Sequence, residues 1–269
     1  MKKVKKENYY QSSRPYKKWL LLIGIIVVVI AVLGTIQICV KTAENEDIGI
    51  KYNVIDVVDE ALGFRCKILE FPSIKNKKLL NEIYGLIGWE LNDYSKKGLL
   101  KAINKEKNEL ANDEMRQEVL KHYSEYEIEN GVSECWMLDD ISLSIYSINN
   151  NFITIEYTFN GSRGGVWLIT EKYITFDKKS EQIIMISDIL INREDTSEWD
   201  EILRNYLKTH NDCVDEAPIP VSDVFYFDEQ NITFVYQKYE IACGADGVVH
   251  ITVPFSAIKS YLKTEFTTY

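Results

Sequence analysis

The chain changes rhythm several times along its 269 residues. Trp19 to Val40 carries no charge and only Thr35 and Gln37 as polar side chains. At about 1.5 Å per residue, such a run is long enough for a helix to cross a bilayer core of roughly 30 Å. Beyond it, residues 50–58 and 64–71 read as strands, and Pro72 breaks the extended run. From Lys75 to Lys97 the residues Leu79, Ile83, Leu86, Ile87, Leu91 and Tyr94 recur at helical spacing. A second helical stretch, residues 100–126, places Leu110, Val119 and Tyr123 on one side, with Asn112-Asp113 as a point of interruption.

After Gly131 the period becomes alternating. Ile141, Leu143 and Ile145 share one face, and Asn149-Asn150-Asn151 turns the chain. Ile153, Ile155, Tyr157 and Phe159 then continue that face while Thr154, Glu156 and Thr158 point away. This is the pattern of a half-buried antiparallel hairpin. Residues 166–176 and 182–186 predict a second hairpin around Asp177-Lys178-Lys179-Ser180. Asp195 and Glu198 have capping-box spacing and open a helix with Trp199, Ile202, Leu203, Tyr206 and Leu207 as its buried stripe. Strands return at 224–227, 232–237 and 248–254, the last with Val249, Ile251, Val253 and Phe255 on one face. The fold expected is α+β, an antiparallel sheet with helices packed on one side, preceded by one transmembrane helix. The chain then divides into a basic tail (1–18), the membrane helix (19–40), an N-terminal α+β unit (48–131) and a C-terminal α+β domain (132–269).

Charge orients this arrangement. Lys2, Lys3, Lys5, Lys6, Arg14, Lys17 and Lys18 precede the apolar run against the single acid Glu7. The positive-inside rule keeps such a tail in the cytoplasm and sends the rest across the membrane, as a single-pass protein with an extracytoplasmic C-terminal domain. A cleaved signal peptide is the competing reading. Val32-Leu33-Gly34 would serve as a cleavage triplet, but apolar residues continue to Val40 and Lys41-Thr42-Ala43 holds a lysine where a small residue is needed. Past the run, 24 Lys and Arg face 40 Asp and Glu, a net of −16. That balance argues against nucleic acid and suits cationic partners.

Few residues carry a chemical signature. Cys66, Cys135, Cys213 and Cys243 allow three pairings and form no CxxC, and His122, His210 and His250 lack zinc-like spacing. No metal or cofactor is expected. Asp139-Asp140 reads either as a cation-binding pair or as solvated acids before a strand. Gly244 and Gly247 bracket Ala245-Asp246 as a turn needing positive φ. Trp136 and Trp167 are either core aromatics or anchors for sugar or protein.

The C-terminal half also resembles a known family. Tyr239-Glu240-Ile241-Ala242, the loop to Gly247, and Ile251-Thr252-Val253-Pro254-Phe255 are similar to the closing motif of an exported bacterial domain. That domain forms the extracellular part of the lysozyme-sensing anti-sigma factor RsiV and accompanies PdaC-type peptidoglycan deacetylases. Phe176-Asp177 with Ile186-Ser187-Asp188-Ile189-Leu190, and Phe225-Tyr226-Phe227 with residues 232–236, fit the same pattern. The likeness covers residues 141–262 and, more faintly, the helix at 79–94. There are three departures. Arg163-Gly164-Gly165-Val166-Trp167 stands where many relatives carry Gly-Gly-Ala-His. No deacetylase domain follows, and an 18-residue tail is too short to enclose a sigma factor.

The resemblance implies an exported recognition domain in the bacterial cell envelope, not an enzyme, with a lysozyme-like protein or a cell-wall glycan as ligand. The binding surface expected comprises Arg163, Gly164, Gly165, Trp167, Tyr239, Glu240 and Asp246, on loops 161–167 and 243–247. Tyr239-Glu240 also admits an acid–base reading, against one in which Tyr239 packs and Glu240 orders the loop. The rival functions are an envelope assembly factor that binds another membrane protein and a peptidoglycan hydrolase.

Overall fold

The computed structural model describes residues 36–43, 50–130, 137–163, 166–208 and 214–266. Strands β1 (Ile36–Ala43), β2 (Tyr52–Asp59) and β3 (Phe64–Glu70) pair antiparallel. Helices α1 (Lys77–Gly85), α2 (Lys96–Ala111) and α3 (Glu114–Asn130) then carry the chain to β4 (Met137–Ile148), which pairs with β3 in parallel. β5 (Phe152–Arg163) and β6 (Val166–Asp177) complete a sheet in the order β1-β2-β3-β4-β5-β6. A short helix α4 (Ile186–Ile189) and helix α5 (Thr196–Tyr206) precede a second, antiparallel sheet of β7 (Phe225–Phe227), β8 (Asn231–Tyr236) and β9 (Val249–Pro254).

The fold is α+β, but the single antiparallel sheet expected is two sheets, and the larger is mixed. A parallel pair needs a long crossover, and the helical stretch of 77–130 supplies it. The division expected at residue 131 runs through this sheet. The apolar cores separate further on: one cluster extends from Ile50 to Phe176, the other from Ile186 to Phe266.

Local chemistry explains the helix limits. Asn76 caps α1 through bonds from the N–H groups of Lys78 and Leu79. The stripe read to Lys97 as one helix stops at Gly85, and the chain then passes through Gly88 at φ 91° before Ser95 caps α2. The interruption at Asn112-Asp113 is where α2 ends and α3 begins. Asp195 precedes α5, but its side chain makes no cap bond to the helix and instead accepts from Ser197 Oγ at 3.0 Å. The hairpin expected after β6 shrinks to one bridge, Phe176 with Ile183, flanked by bonds from Asp177 N–H to the Gln182 carbonyl and from Ile184 N–H to the Thr175 carbonyl.

Two corrections bear on function. Ile36 to Val40, the last residues of the expected membrane helix, lie in β1, so a membrane helix cannot include them. Ile36, Ile38 and Val40 are β-branched and alternate, which suits a strand. Residues 19–35 lie outside those described, and among the described residues no helix is long and apolar enough to cross a membrane. Asp139 and Asp140 do not form a cation-binding pair, because successive strand residues face opposite ways. Asp139 is buried against Arg116 Nη1 of α3, whose Nε and Nη2 also donate to the carbonyl of Leu62 at 3.1 and 2.7 Å. Asp140 is half-buried, and burial raises its carboxyl above the usual range.

The faces of β4–β6 therefore differ. Leu143, Ile153, Ile155, Ile174 and Phe176 lie buried in one core with Leu79, Ile83, Leu99 and Ile103 of α1 and α2. The opposite face carries Ser144, Glu156 and Tyr173 in one cross-strand row and Thr158 beside Glu171 in the next. The small sheet has the same asymmetry. Phe225, Phe234 and Ile251 share a face and a core with Trp199 and Leu203 of α5, while Tyr226, Thr233 and Thr252 form a polar row.

Candidate functional site

The polar faces of the two sheets meet in a half-buried cluster. Tyr173 Oη lies 2.9 Å from both Glu156 Oε1 and Glu171 Oε2. His250 of β9 places Nε2 2.9 Å from Glu171 Oε2, and its Nδ1 lies 3.4 Å from Tyr226 Oη of β7. Ser144 donates to Glu156 at 3.3 Å. The rings of Tyr146, Tyr173 and Tyr226 close the cluster with centroids 4.5–5.3 Å apart. Tyr146 reaches it because the register slips between Ile145 and Ser147, a bulge that re-aims an extra side chain.

The electrostatics arise from this contact chain. The hydrogen bond with His250 holds the Glu171 carboxyl below the usual glutamate range, against an opposing contribution from burial. Burial and the neighbouring Glu156 and Glu171 push the Tyr173 phenol well above its ordinary value, so it stays a proton donor. Tyr173 has one hydroxyl proton for two carboxylates. The three rings are in contact with one another and leave no cage between them. Among the described residues, no three His, Cys, Asp or Glu side chains converge as metal ligands.

A ridge adjoins this cluster at the β5–β6 tip. Val166, Trp167 and Leu168 are 56%, 55% and 41% exposed, and Tyr239 is 71% exposed. Lys238 links Trp167 to Tyr239: its Nζ donates to the Trp167 carbonyl at 3.0 Å and lies 5.2 Å from the Tyr239 ring centre, while Val166 and Leu168 point to the other face of β6. Gln237 fastens the turn to β6, with Nε2 donating to the Glu171 carbonyl at 2.6 Å and Oε1 accepting from the Glu171 N–H at 3.2 Å. Glu240 orders the same turn by accepting from the Gln237 N–H at 2.7 Å. Tyr239 is not core: it sits at φ 70° with its ring across Gly244, where any Cβ would collide with it. Gly247 takes the positive φ, and Asp246 closes its turn onto the Cys243 carbonyl at 3.1 Å.

Of the residues expected at the binding surface, Trp167 and Tyr239 meet at the ridge, Glu240 supports it and Asp246 lies in the neighbouring turn. The Arg163 side chain, Gly164, Gly165 and Trp136 lie outside the described residues. The Tyr–Glu–His cluster is not among the sites that the sequence suggests. Its signal is the period-two spacing of Glu171 and Tyr173 on an outward face, but His250 and Tyr226 join it from a separate sheet. Cys66 and Cys243 carry free thiols, and burial raises that of Cys66 far above the ordinary range.

The fold defines a two-sheet α+β domain with a polar joint and an aromatic ridge. Residues 166–256, which include the ridge and most of the joint, match as a DUF3298 domain the family model described as "Protein of unknown function". A member of the DUF3298 family from Bacteroides fragilis has a similar structure, with TM-score 0.53 and 16% identity over 86% of this chain and 95% of that one. A DUF3298 family protein from Pseudomonas aeruginosa PAO1 gives TM-score 0.46 and 12% identity over 86% and 94%. The first likeness is one of fold. No curated protein matches the chain.

Proposed function

We propose that the chain is a membrane-anchored, extracytoplasmic binding protein whose ridge captures a cationic, lysozyme-like protein. The observation that carries this reading is the exposure of Trp167 and Tyr239, linked to each other through Lys238 and fastened to β6 by Gln237. Exposed aromatic residues on a rigid support are the usual anchors of protein interfaces. The net −16 beyond the apolar run and the resemblance of residues 239–255 to the RsiV-type domain favour a basic partner. The uncharged run that starts at Trp19, behind a basic tail, is what supports the anchor in this reading.

Binding of the full chain, in detergent micelles, to a lysozyme and to an equally basic folded protein tests the reading. Stronger binding to the lysozyme at physiological salt is expected, with association slowing steeply as salt rises. Equal affinities would leave only nonspecific charge. An impermeant thiol label should reach an engineered cysteine at Asn45 in intact cells or spheroplasts, and not one at Gln11. Release of a trimmed soluble product would replace the anchor with a cleaved signal.

The Glu171–His250 pair favours a second reading, a hydrolase acting on cell-wall glycan. Purified sacculi incubated with the chain should then release fragments that Glu171→Gln does not.

A further inference from the structure

The sixth strand of the large sheet leaves one stretch of its outer edge open. Glu171 makes its bonds to Gln237 away from β5, the Thr175 carbonyl accepts from Ile184 N–H at 2.9 Å, and Asp177 N–H donates to Gln182 at 2.9 Å. Outward pairs recur every second residue in an antiparallel strand, so the N–H and C=O of Tyr173 also face away from β5. No protein group among the described residues meets them. Before them lies a cavity of about 580 Å³, lined by four successive strand residues, 172–175. Side chains alternate between faces, so a cavity that touches all four runs along the strand edge. Leu79 of α1 and Leu86 just after it line the cavity, as do Ile183, Met185 and Phe225.

We propose that this notch is a docking slot for a short extended peptide, which pairs its backbone with Tyr173 as a partial extra strand. The chain itself demonstrates the recognition. Two residues away, the primary amide of Gln237 both donates to and accepts from Glu171, as the N–H and C=O of a facing strand residue would. Unpaired backbone groups next to apolar walls favour a partner that brings a donor, an acceptor and apolar side chains together. The edge is closed at Glu171 and again at Thr175, so about three residues fit over roughly 13 Å. Residues opposite each other share a face. The ligand's central side chain therefore projects toward the side where β7 packs, beside Asp223, and its neighbours project toward Leu79 and Leu86. Lys78 and Lys172 match Glu82 and Glu181 in the lining, and Asp223 pairs with Arg193, so a basic central residue would compete with Arg193 for Asp223.

The probe is dye-labelled acetyl-Leu-Lys-Leu-methylamide, titrated by fluorescence anisotropy against the full chain in detergent micelles. Its counterpart is methylated on the lysine backbone nitrogen, which removes the donor to the Tyr173 carbonyl. Saturable binding of the first peptide is expected, with the methylated one weaker by roughly tenfold or more. Gly85 lines the cavity with open space where a Cβ would stand, so Gly85→Phe fills the slot from the helix side and abolishes binding. Its melting temperature, measured in parallel, shows whether that variant is folded. Should it be destabilised, the two peptides on the wild-type chain still decide. Equal binding of both peptides, no saturable binding at millimolar concentration, or undiminished binding by a folded Gly85→Phe would each overturn the slot.

Discussion

The two faces of β4–β6 are built from the same three strands and hold the molecule in different ways. Toward α1 and α2 the face is Ile, Leu and Phe, buried and indifferent to hydrogen-bond direction. Toward the small sheet it is mainly Ser, Thr, Glu and Tyr, where bonds that need a donor and an acceptor run beside packed tyrosine rings. The apolar face draws its stability from area removed from water, about 25 cal/mol per Å². The polar face contributes less, since each bond replaces one made with water. It instead defines where the small sheet sits, because misplacing it leaves half-buried carboxylates without partners. Position is what a binding surface needs, and the ridge hangs from this joint through Gln237 and Glu171.

Substitutions on the two faces should separate these roles. The largest effect is expected from Phe176→Ala, which empties a fully buried site on the apolar face. It should cost about 3–5 kcal/mol in urea unfolding. A smaller cost would mean that this face is less tightly packed than its burial indicates.

Glu171→Gln comes next, at about 1–2 kcal/mol, since the carboxylate is only partly buried. Its pH dependence sharpens the comparison. The folded-state pKa of Glu171 is depressed, so its stabilisation is complete above the unfolded value near 4.5 and is lost as pH falls through the lower folded value. The gap between wild type and Glu171→Gln should therefore close as pH drops below about 4.5, while the gap for Phe176→Ala persists. A gap for Glu171→Gln that did not change with acid would remove the Glu171–His250 hydrogen bond from the account.

Thr154 and Thr175 share a bond of 2.9 Å, both buried in the polar face. Thr154→Val alone strands the Thr175 hydroxyl and should cost about 1–2 kcal/mol. Adding Thr175→Val should recover part of that loss, since both polar groups are then gone. Additive losses in the double variant would show that the two hydroxyls are not coupled.

The smallest effect on folding belongs to Trp167→Ala. An exposed ring that supports nothing should change stability by no more than about 0.5 kcal/mol. If the ridge binds a protein, the same substitution should speed dissociation of that complex. A large loss of stability would instead make Trp167 a core aromatic.

Much of the α+β pattern is legible because it is local. Alternation at 141–159 and helical spacing at 199–207 depend on each residue's own neighbours, and β4, β5 and α5 lie where those periods place them. Asn112-Asp113 marks a helix break by the same logic. The pull of local apolarity also misleads. Ile36–Val40 reads as membrane helix, yet its β-branched alternation meets a partner in β2, and pairing is information a single segment does not carry.

The sequence by itself determined the periods, the turns and the charge asymmetry between the basic N-terminal tail and the acidic residues 41–269. Three matters were decided only by tertiary structure. The parallel pairing of β3 with β4 joins residues on either side of three helices. The joint of Glu156, Glu171, Tyr173, Tyr226 and His250 assembles from five strand positions across two sheets. The open edge at Tyr173 exists because Gln237 and Ile184 close the positions beside it and nothing among the described residues closes the one between. Each depends on contacts between residues far apart in the chain, whose energies exceed any local preference and leave no trace in spacing.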